Sequence, residues 1–330
     1  GALQHLLLKA AAIGPTVDVD LLRDLADIPA DAVTTALTDL EEAGFVHRTR
    51  LIPNLEYGFR HALVQEVAYS QLTREQRRDW HSRIIQALRR RRDHDLPGRL
   101  DLLAHHAFQA GNWPMAYAYG LRAGRRAERR SKPDAASRFY TDALAALERL
   151  EPSRRVLLRR IDLSIALTRA MLPRGIRQGE EHLRQAGELA AQAGDPVRVA
   201  RAASVHASYL WSHGDLDEAV RLSRSGLAAL GTRDCAETRI QLLIRMAGFL
   251  TDQGEFREAR DALMAADSMI PPERLYDHFG MAIAGSVGAK ALLGRVLAEL
   301  GDEAGALRTA EQAYAIAEDS RHVFSKVIAG

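Results

Sequence analysis

The sequence predicts a mainly all-α protein, in which a small domain of three helices and a β-hairpin precedes a solenoid of helical hairpins. Three observations support this prediction. The first 60 residues combine short helical patterns with two alternating segments. From His61 onward the patterns are helical, and one turn pattern recurs along this second part. With 47% hydrophobic and 27% charged residues, the chain has the composition of an ordered globular protein.

The first part begins with three short predicted helices. Leucines and alanines recur at helical spacing over residues 3–13. Asp18 or Asp20 then caps a second helix. Pro29 is expected in the first turn of a third helix, which runs to about Ala43 and stops at Gly44, because Gly readily adopts the left-handed conformation that follows a helix.

A β-hairpin is predicted immediately after the third helix. Residues 45–50 and 56–60 alternate between apolar and polar types around Pro53-Asn54, which favours a short turn. Three helices followed by a hairpin make a winged-helix-like domain, which we assign to residues 1–72. A connecting basic helix is expected at residues 73–98.

The turn pattern of the second part consists of a Gly, a polar or acidic residue, and an Ala five positions after the Gly. The four instances start at Gly111, Gly214, Gly254 and Gly301. In a helical hairpin the Gly ends one helix, the next side chain caps the following helix, and the Ala permits close packing. Ser131 with Ala136 is a degenerate instance.

These hairpins predict tetratricopeptide-like repeats over residues 99–330. Spacings of 40 residues from Gly214 to Gly254 and 47 from Gly254 to Gly301 fit two helices per repeat. The final helical pattern stops at Gly330 and the chain lacks an initiator Met, so we interpret the sequence as a fragment with a truncated last repeat.

Such repeats stack into a right-handed superhelical solenoid, whose concave wall offers an extended surface to a protein, a peptide or a small effector. The candidate groove contacts lie on helices that precede the Gly214 and Gly254 turns. They are His206, Tyr209, Trp211, Arg245 and Phe249. The aromatic side chains fit a helix core equally, and His206 fits a hydrogen-bonded core histidine.

Several classes of protein are excluded by composition. No apolar run approaches the roughly 18 residues of a membrane span, and no signal-peptide pattern shows in these residues. The single cysteine, Cys235, can form neither an internal disulfide nor a metal cluster, so we expect a cytoplasmic protein. The net charge is only +2, and the basic runs between Arg74 and Arg138 suit either phosphate-rich partners or solvated helix faces.

No catalytic constellation is found. A phosphate-binding loop needs Gly-x-x-x-x-Gly-Lys-Ser/Thr, and the nearest segment, Gly285 to Lys290, has the wrong spacing. His105 and His106 are adjacent, so on a helix they point apart, one buried and one outward, and cannot share a metal. We therefore expect this chain to be no enzyme and to bind neither a cofactor nor a metal.

One stretch resembles a known family. The run from Tyr57 to Tyr69, YGFRHALVQEVAY, is followed by Trp80-His81, Leu103–His106 and Leu121–Gly124. It resembles the region downstream of the ATPase module in bacterial signal-transduction ATPases with numerous domains, which are often fused to class III adenylate cyclase domains. The resemblance implies an upstream effector and an ATPase core in the same chain, then a winged helix and sensing repeats.

His61 has two interpretations. Arg60-His61-Ala62 resembles the Met-His-Asp motif of related apoptotic and disease-resistance ATPases, whose histidine contacts the β-phosphate of ADP. That resemblance implies a nucleotide-state sensor that needs the upstream ATPase core. A structural role in capping the helix after the hairpin is the alternative.

Two other functions remain open. The chain could be the sensor region of a DNA-binding transcriptional regulator, or a passive scaffold. Against nucleic-acid binding, the third helix carries Asp31, Asp39, Glu41 and Glu42 and no basic residue, so it repels a phosphate backbone.

Overall fold

The computed structural model describes residues 2–51, 54–90, 99–172, 178–281, 283–320 and 322–329. These residues form 17 α-helices and three β-strands. The chain divides into two compact units, residues 1–151 and residues 152–330. The first unit therefore contains the predicted winged-helix-like domain together with the first predicted repeats. In the described part of the chain, no helix is both long and apolar enough to cross a membrane.

The first unit contains eight helices and three strands among its described residues. In chain order they are α1 (Ala2–Ile13), β1 (Thr16–Asp18), α2 (Val19–Leu25), α3 (Ala30–Glu42), β2 (Val46–Arg50), β3 (Glu56–Phe59), α4 (Ala62–Ser70), α5 (Arg74–Arg90), α6 (Leu100–Gln109), α7 (Trp113–Arg129) and α8 (Pro133–Glu148).

The N-terminal elements lie where the sequence predicts them, with one addition. β1 is a third strand that the sequence analysis does not predict, and the antiparallel sheet has the order β1-β3-β2. Asp18, rather than Asp20, caps α2 by accepting a hydrogen bond from the backbone of Leu21 at 2.8 Å. Pro29 precedes α3 instead of lying in its first turn. Pro53, in the predicted hairpin turn, lies outside the described residues.

Helices α5 to α8 continue the first unit as antiparallel pairs. The predicted connecting helix is α5, and residues 91–98 lie outside the described residues. Gly111, between α6 and α7, has φ +71°, and Asn112 caps α7. Ser131, between α7 and α8, has φ 53°, the conformation that Gly adopts in the other turns. The degenerate repeat predicted at Ser131 is thus a helical hairpin.

Nine helices form the described part of the second unit. They are α9 (Arg154–Met171), α10 (Gln178–Gln192), α11 (Pro196–Ser212), α12 (Leu216–Leu230), α13 (Ala236–Gln253), α14 (Phe256–Ser268), α15 (Gly285–Glu299), α16 (Glu303–Ser320) and α17 (Val323–Ala329). A 3-10 turn, Pro272–Arg274, lies between α14 and α15.

The hairpin turns of the second unit follow the predicted pattern. Gly214, Gly254 and Gly301 have φ of +86°, +84° and +83°. The small residues Ala219 and Ala259 are fully buried where the paired helices meet. The sequence pattern misses a further turn at Gly194, with φ +64°, because the fifth residue after it is Val199 rather than Ala.

The α7–α8 contact leaves no room for a side chain at Gly124. A Cβ atom there would lie 2.3 Å from the ring of Tyr140, which is fully buried and donates a hydrogen bond to Glu128 at 2.6 Å. We expect Gly124→Ala to lower the free energy of unfolding by about 1–3 kcal/mol, because the ring must be displaced. Urea denaturation followed by circular dichroism measures this change.

Gly187, in α10, is the matched control. A Cβ atom there would have Ala202 as its nearest neighbour, at 3.9 Å. Gly187→Ala should therefore raise stability by up to about 1 kcal/mol, from helix propensity alone. Equal effects of the two substitutions would contradict the packing described for α7 and α8.

Candidate functional site

The candidate groove contacts lie on α11 and α13, the first helices of two successive hairpins, which pack against each other. Two side-chain pairs join them. Arg245 Nη1 donates a hydrogen bond to Ser208 Oγ at 2.5 Å. The indole Nε1 of Trp211 donates to Asp252 Oδ2 at 2.7 Å. We call these four residues the α11–α13 surface.

Arg245 is unusual on this surface because its guanidinium has a lowered pKa and no ion-pair partner among the described residues. Burial of its guanidinium, with a smaller contribution from the positive charge of Arg169, lowers the pKa of Arg245 to about 10. Within the described ranges, no carboxylate forms an ion pair with it. Burying a charge without a counter-charge costs free energy, so this arrangement needs an explanation other than stability.

Trp211 supplies the exposed aromatic side chain. It is 46% exposed, and its ring lies 6.0 Å from that of Phe249. A tryptophan presents both apolar area and a hydrogen-bond donor, which is why the residue is frequent in binding surfaces. Its indole N–H is already engaged by Asp252, so the ring is held in place.

Tyr209 and Phe249 belong to the hydrophobic core. Each is 4% exposed and packs within the apolar cluster of the second unit. The Tyr209 ring also lies 4.2 Å from the ring of His213. Of the alternatives left by the sequence, the structure therefore places these two side chains in the helix core.

His206 is partly buried and faces a carboxylate. Its Nε2 lies 4.0 Å from Glu180 Oε1, and burial lowers the pKa of the imidazole. Neither this Nε2 nor the buried Oγ of Ser204 has a hydrogen-bond partner among the described residues. The hydrogen-bonded core histidine of the sequence analysis is thus not what the described contacts show.

An ion cluster joins α9 to α11 on the neighbouring hairpin. Asp162 accepts hydrogen bonds from Arg198 at 2.7 Å and from Arg201 at 2.9 Å. Arg198 also bonds Asp195, at 2.5 Å. Asp162, Ser208 and Asp252 are not among the predicted contacts, because periodicity does not show which residues of different hairpins meet.

His61 lies at the start of α4 with an exposed side chain. Its backbone occupies the position before the first helical residue, with φ −134°, but its side chain makes no capping hydrogen bond. The described contacts therefore give no support to the capping alternative.

A second polar cluster lies in the first unit, between α4, α5 and α6. His106 is buried and His105 is exposed, as the sequence predicts. The two Nδ1 atoms of His106 and His81 share a hydrogen bond at 2.8 Å, and His81 Nε2 lies 2.9 Å from the Tyr69 hydroxyl. In the described part of the chain, no group of three His, Cys, Asp or Glu side chains could hold a metal.

Comparison with known proteins places this geometry in context. No family model matches the chain. An uncharacterized protein of Rhizobium meliloti (strain 1021) is 34% identical over 145 residues, which are 44% of this chain and 14% of that protein. The match therefore spans only a small part of a much longer relative.

Among the solved structures that resemble the fold are two Rap proteins and a signal transduction ATPase with a repeat sensor. A Rap protein complexed with Competence and Sporulation Factor has a TM-score of 0.54 at 12% identity, over 76% of this chain and 74% of that one. The apo form of RapI has a TM-score of 0.52 at 13% identity, over 62% and 72%. A signal transduction ATPase with numerous domains and a tetratricopeptide repeat sensor, from Pyrococcus horikoshii, has a TM-score of 0.50 at 11% identity, over 100% and 52%.

At such low identity these likenesses show the fold alone. The chain is a mainly helical protein with tetratricopeptide-like repeats and a small antiparallel sheet near its N-terminus.

The buried histidines make the first unit sensitive to acid. Burial, together with the charges of His105 and Arg77, lowers the pKa of His81 from 6.5 to about 4. Between pH 6.5 and about pH 4, the unfolded chain therefore binds more protons than the folded chain. Stability is fully present above pH 6.5 and falls as the pH drops toward 4, by about 3 kcal/mol.

We expect urea midpoints, followed by circular dichroism, to fall steeply between pH 7 and pH 4.5. His81→Gln should flatten this dependence, whereas substitution of the exposed His5 should leave it unchanged. An unaltered pH slope in His81→Gln would show that the Tyr69–His81–His106 network is not its origin.

Proposed function

We propose that this chain is a non-catalytic regulatory region of a larger bacterial signalling ATPase, in which the repeats bind a protein, peptide or small effector. The observation that carries the proposal is the α11–α13 surface. It presents an exposed aromatic ring and a cation without a counter-charge on the first helices of adjacent repeats. Extended surfaces of stacked repeats are well suited to binding elongated partners.

The solved structures support a sensing role. One Rap protein of similar fold was solved in complex with Competence and Sporulation Factor, and the Pyrococcus protein is described as an ATPase with a repeat sensor. By analogy, occupancy of the repeats in this chain would control an upstream ATPase or effector domain, such as an adenylate cyclase, in the cytoplasm.

We further propose the domain boundaries that the sequence indicates. Residues 1–72 form a winged-helix-like domain, residues 73–98 a connecting basic helix, and residues 99–330 the repeats. The element order α1-β1-α2-α3-β2-β3 and the antiparallel sheet support the first assignment. His61, exposed at the start of α4, would contact nucleotide only when the ATPase core is present.

Binding to nucleic acid is disfavoured by the charges of the N-terminal elements. Arg48 Nε lies 3.0 Å from Glu41, and Arg50 Nη1 lies 2.9 Å from Glu56. Arg48 and Arg50 of the hairpin are thus paired with carboxylates, and the acidic α3 adds repulsion. A regulatory region of a DNA-binding protein therefore remains only the alternative function.

The binding surface can be tested with a random peptide library displayed on phage. We expect selection on the wild-type chain to enrich specific peptides. Trp211→Ala should weaken the binding of these peptides by roughly tenfold or more, as for an aromatic interface residue. Tyr314→Ala is the matched control, because Tyr314 is 50% exposed, close to the 46% of Trp211, but lies on α16, the second helix of its hairpin.

The selected peptide, added at saturation to the full-length protein, should change the rate of ATP hydrolysis. An unchanged rate would contradict control of an upstream ATPase, and absence of enrichment would contradict the binding surface itself.

A further inference from the structure

Arg245 differs from other arginines of the first helices in its hydrogen-bond partner. Among the described residues this partner is Ser208, and a hydroxyl does not neutralise a guanidinium. On the adjacent α9–α11 contact, by comparison, Arg198 and Arg201 share the carboxylate of Asp162. Arg245 therefore has no carboxylate partner among the described residues, unlike Arg198 and Arg201 of the adjacent contact.

The donor geometry of Arg245 indicates what could compensate it. Nη1 is occupied by Ser208, and the described residues accept no hydrogen bond from Nε or Nη2. Those two N–H groups form one edge of the planar guanidinium, which matches the two oxygens of a carboxylate. The nearby positive charge of Arg169 adds to the attraction for an anion.

An apolar contact lies next to this cation on the same face of α11. Ser204, Ser208 and Trp211 are spaced at i, i+4 and i+7, so they lie on one side of the helix. Trp211 lies about one helical turn after Ser208, the residue on α11 to which Arg245 donates its hydrogen bond. A ligand that reaches Arg245 can therefore place a neighbouring side chain against the indole.

We propose that the α11–α13 surface binds an acidic peptide, with a peptide carboxylate paired to the Nε–Nη2 edge of Arg245 and an adjacent apolar side chain packed on Trp211. This inference rests on the proposed binding function of the repeats and names the chemistry of the partner. The carboxylate would supply the counter-charge that the Ser208 hydroxyl does not provide.

The first test needs no ligand. A cation retained for binding costs stability in the free protein, so Arg245→Met should raise the thermal unfolding midpoint. Arg239→Met is the control on the same helix, because Arg239 donates a hydrogen bond to the carbonyl of Gly231 and its loss should give no such rise. A lower midpoint for Arg245→Met than for Arg239→Met would show that Arg245 is structural and overturn the inference.

The second test uses the peptides that phage display selects, synthesised with a free acid or an amidated C-terminus and with each Glu or Asp replaced by Gln or Asn. Removal of one carboxylate should weaken binding to the wild-type chain by roughly tenfold to hundredfold. The same removal should have little effect on Arg245→Gln. The free-acid and amide forms show whether the carboxylate is terminal or on a side chain.

The outcomes separate the two proposals. Peptides that bind through Trp211 but are insensitive to loss of every carboxylate would overturn the anion site and leave the binding function intact. A library that yields no binder would overturn both.

Discussion

The second unit depends on one constraint, the reversal of the chain between paired helices within two or three residues. Gly214, Gly254 and Gly301 achieve it with positive φ, which other residues adopt only at a cost. Fully buried alanines such as Ala219 then let the two helices approach closely. Because each turn sets which helix faces its neighbour, it also decides that α11 and α13 lie side by side and present Trp211 and Arg245 together.

Most of the fold could be predicted from local sequence, for the same reason. A turn that requires a left-handed residue, a cap and a small residue leaves a signature at fixed spacing, and Ser131 shows that even a degenerate form can be found. The Gly194 turn was not predicted because Val199 stands where the pattern has Ala. Asp195 nevertheless caps α11 by accepting a hydrogen bond from the backbone of Arg198. Strand β1 was not predicted because three residues are too few to show the two-residue alternation of a strand.

The candidate site was less predictable. Residue type and helix position were enough to single out Trp211 and Arg245, but not to distinguish them from Tyr209 and Phe249, which the structure buries. The partners, Ser208 and Asp252, depend on the register between helices of different hairpins, and no local pattern encodes that register. The same limit applies to the His81–His106 hydrogen bond, which joins residues 25 apart in the chain.

The Trp211–Asp252 pair affects the direction in which an extended chain can bind to the α11–α13 surface. An indole N–H binds a carboxylate oxygen without neutralising the carboxylate, so Asp252 and Arg245 place opposite charges at two points of α13. Seven residues of α13 separate the two, about 10 Å along the helix axis. The surface consequently has an electrical polarity, positive at one end and negative at the other. An extended chain lying across it meets the two charges in a set order, and its two orientations are not equivalent in energy.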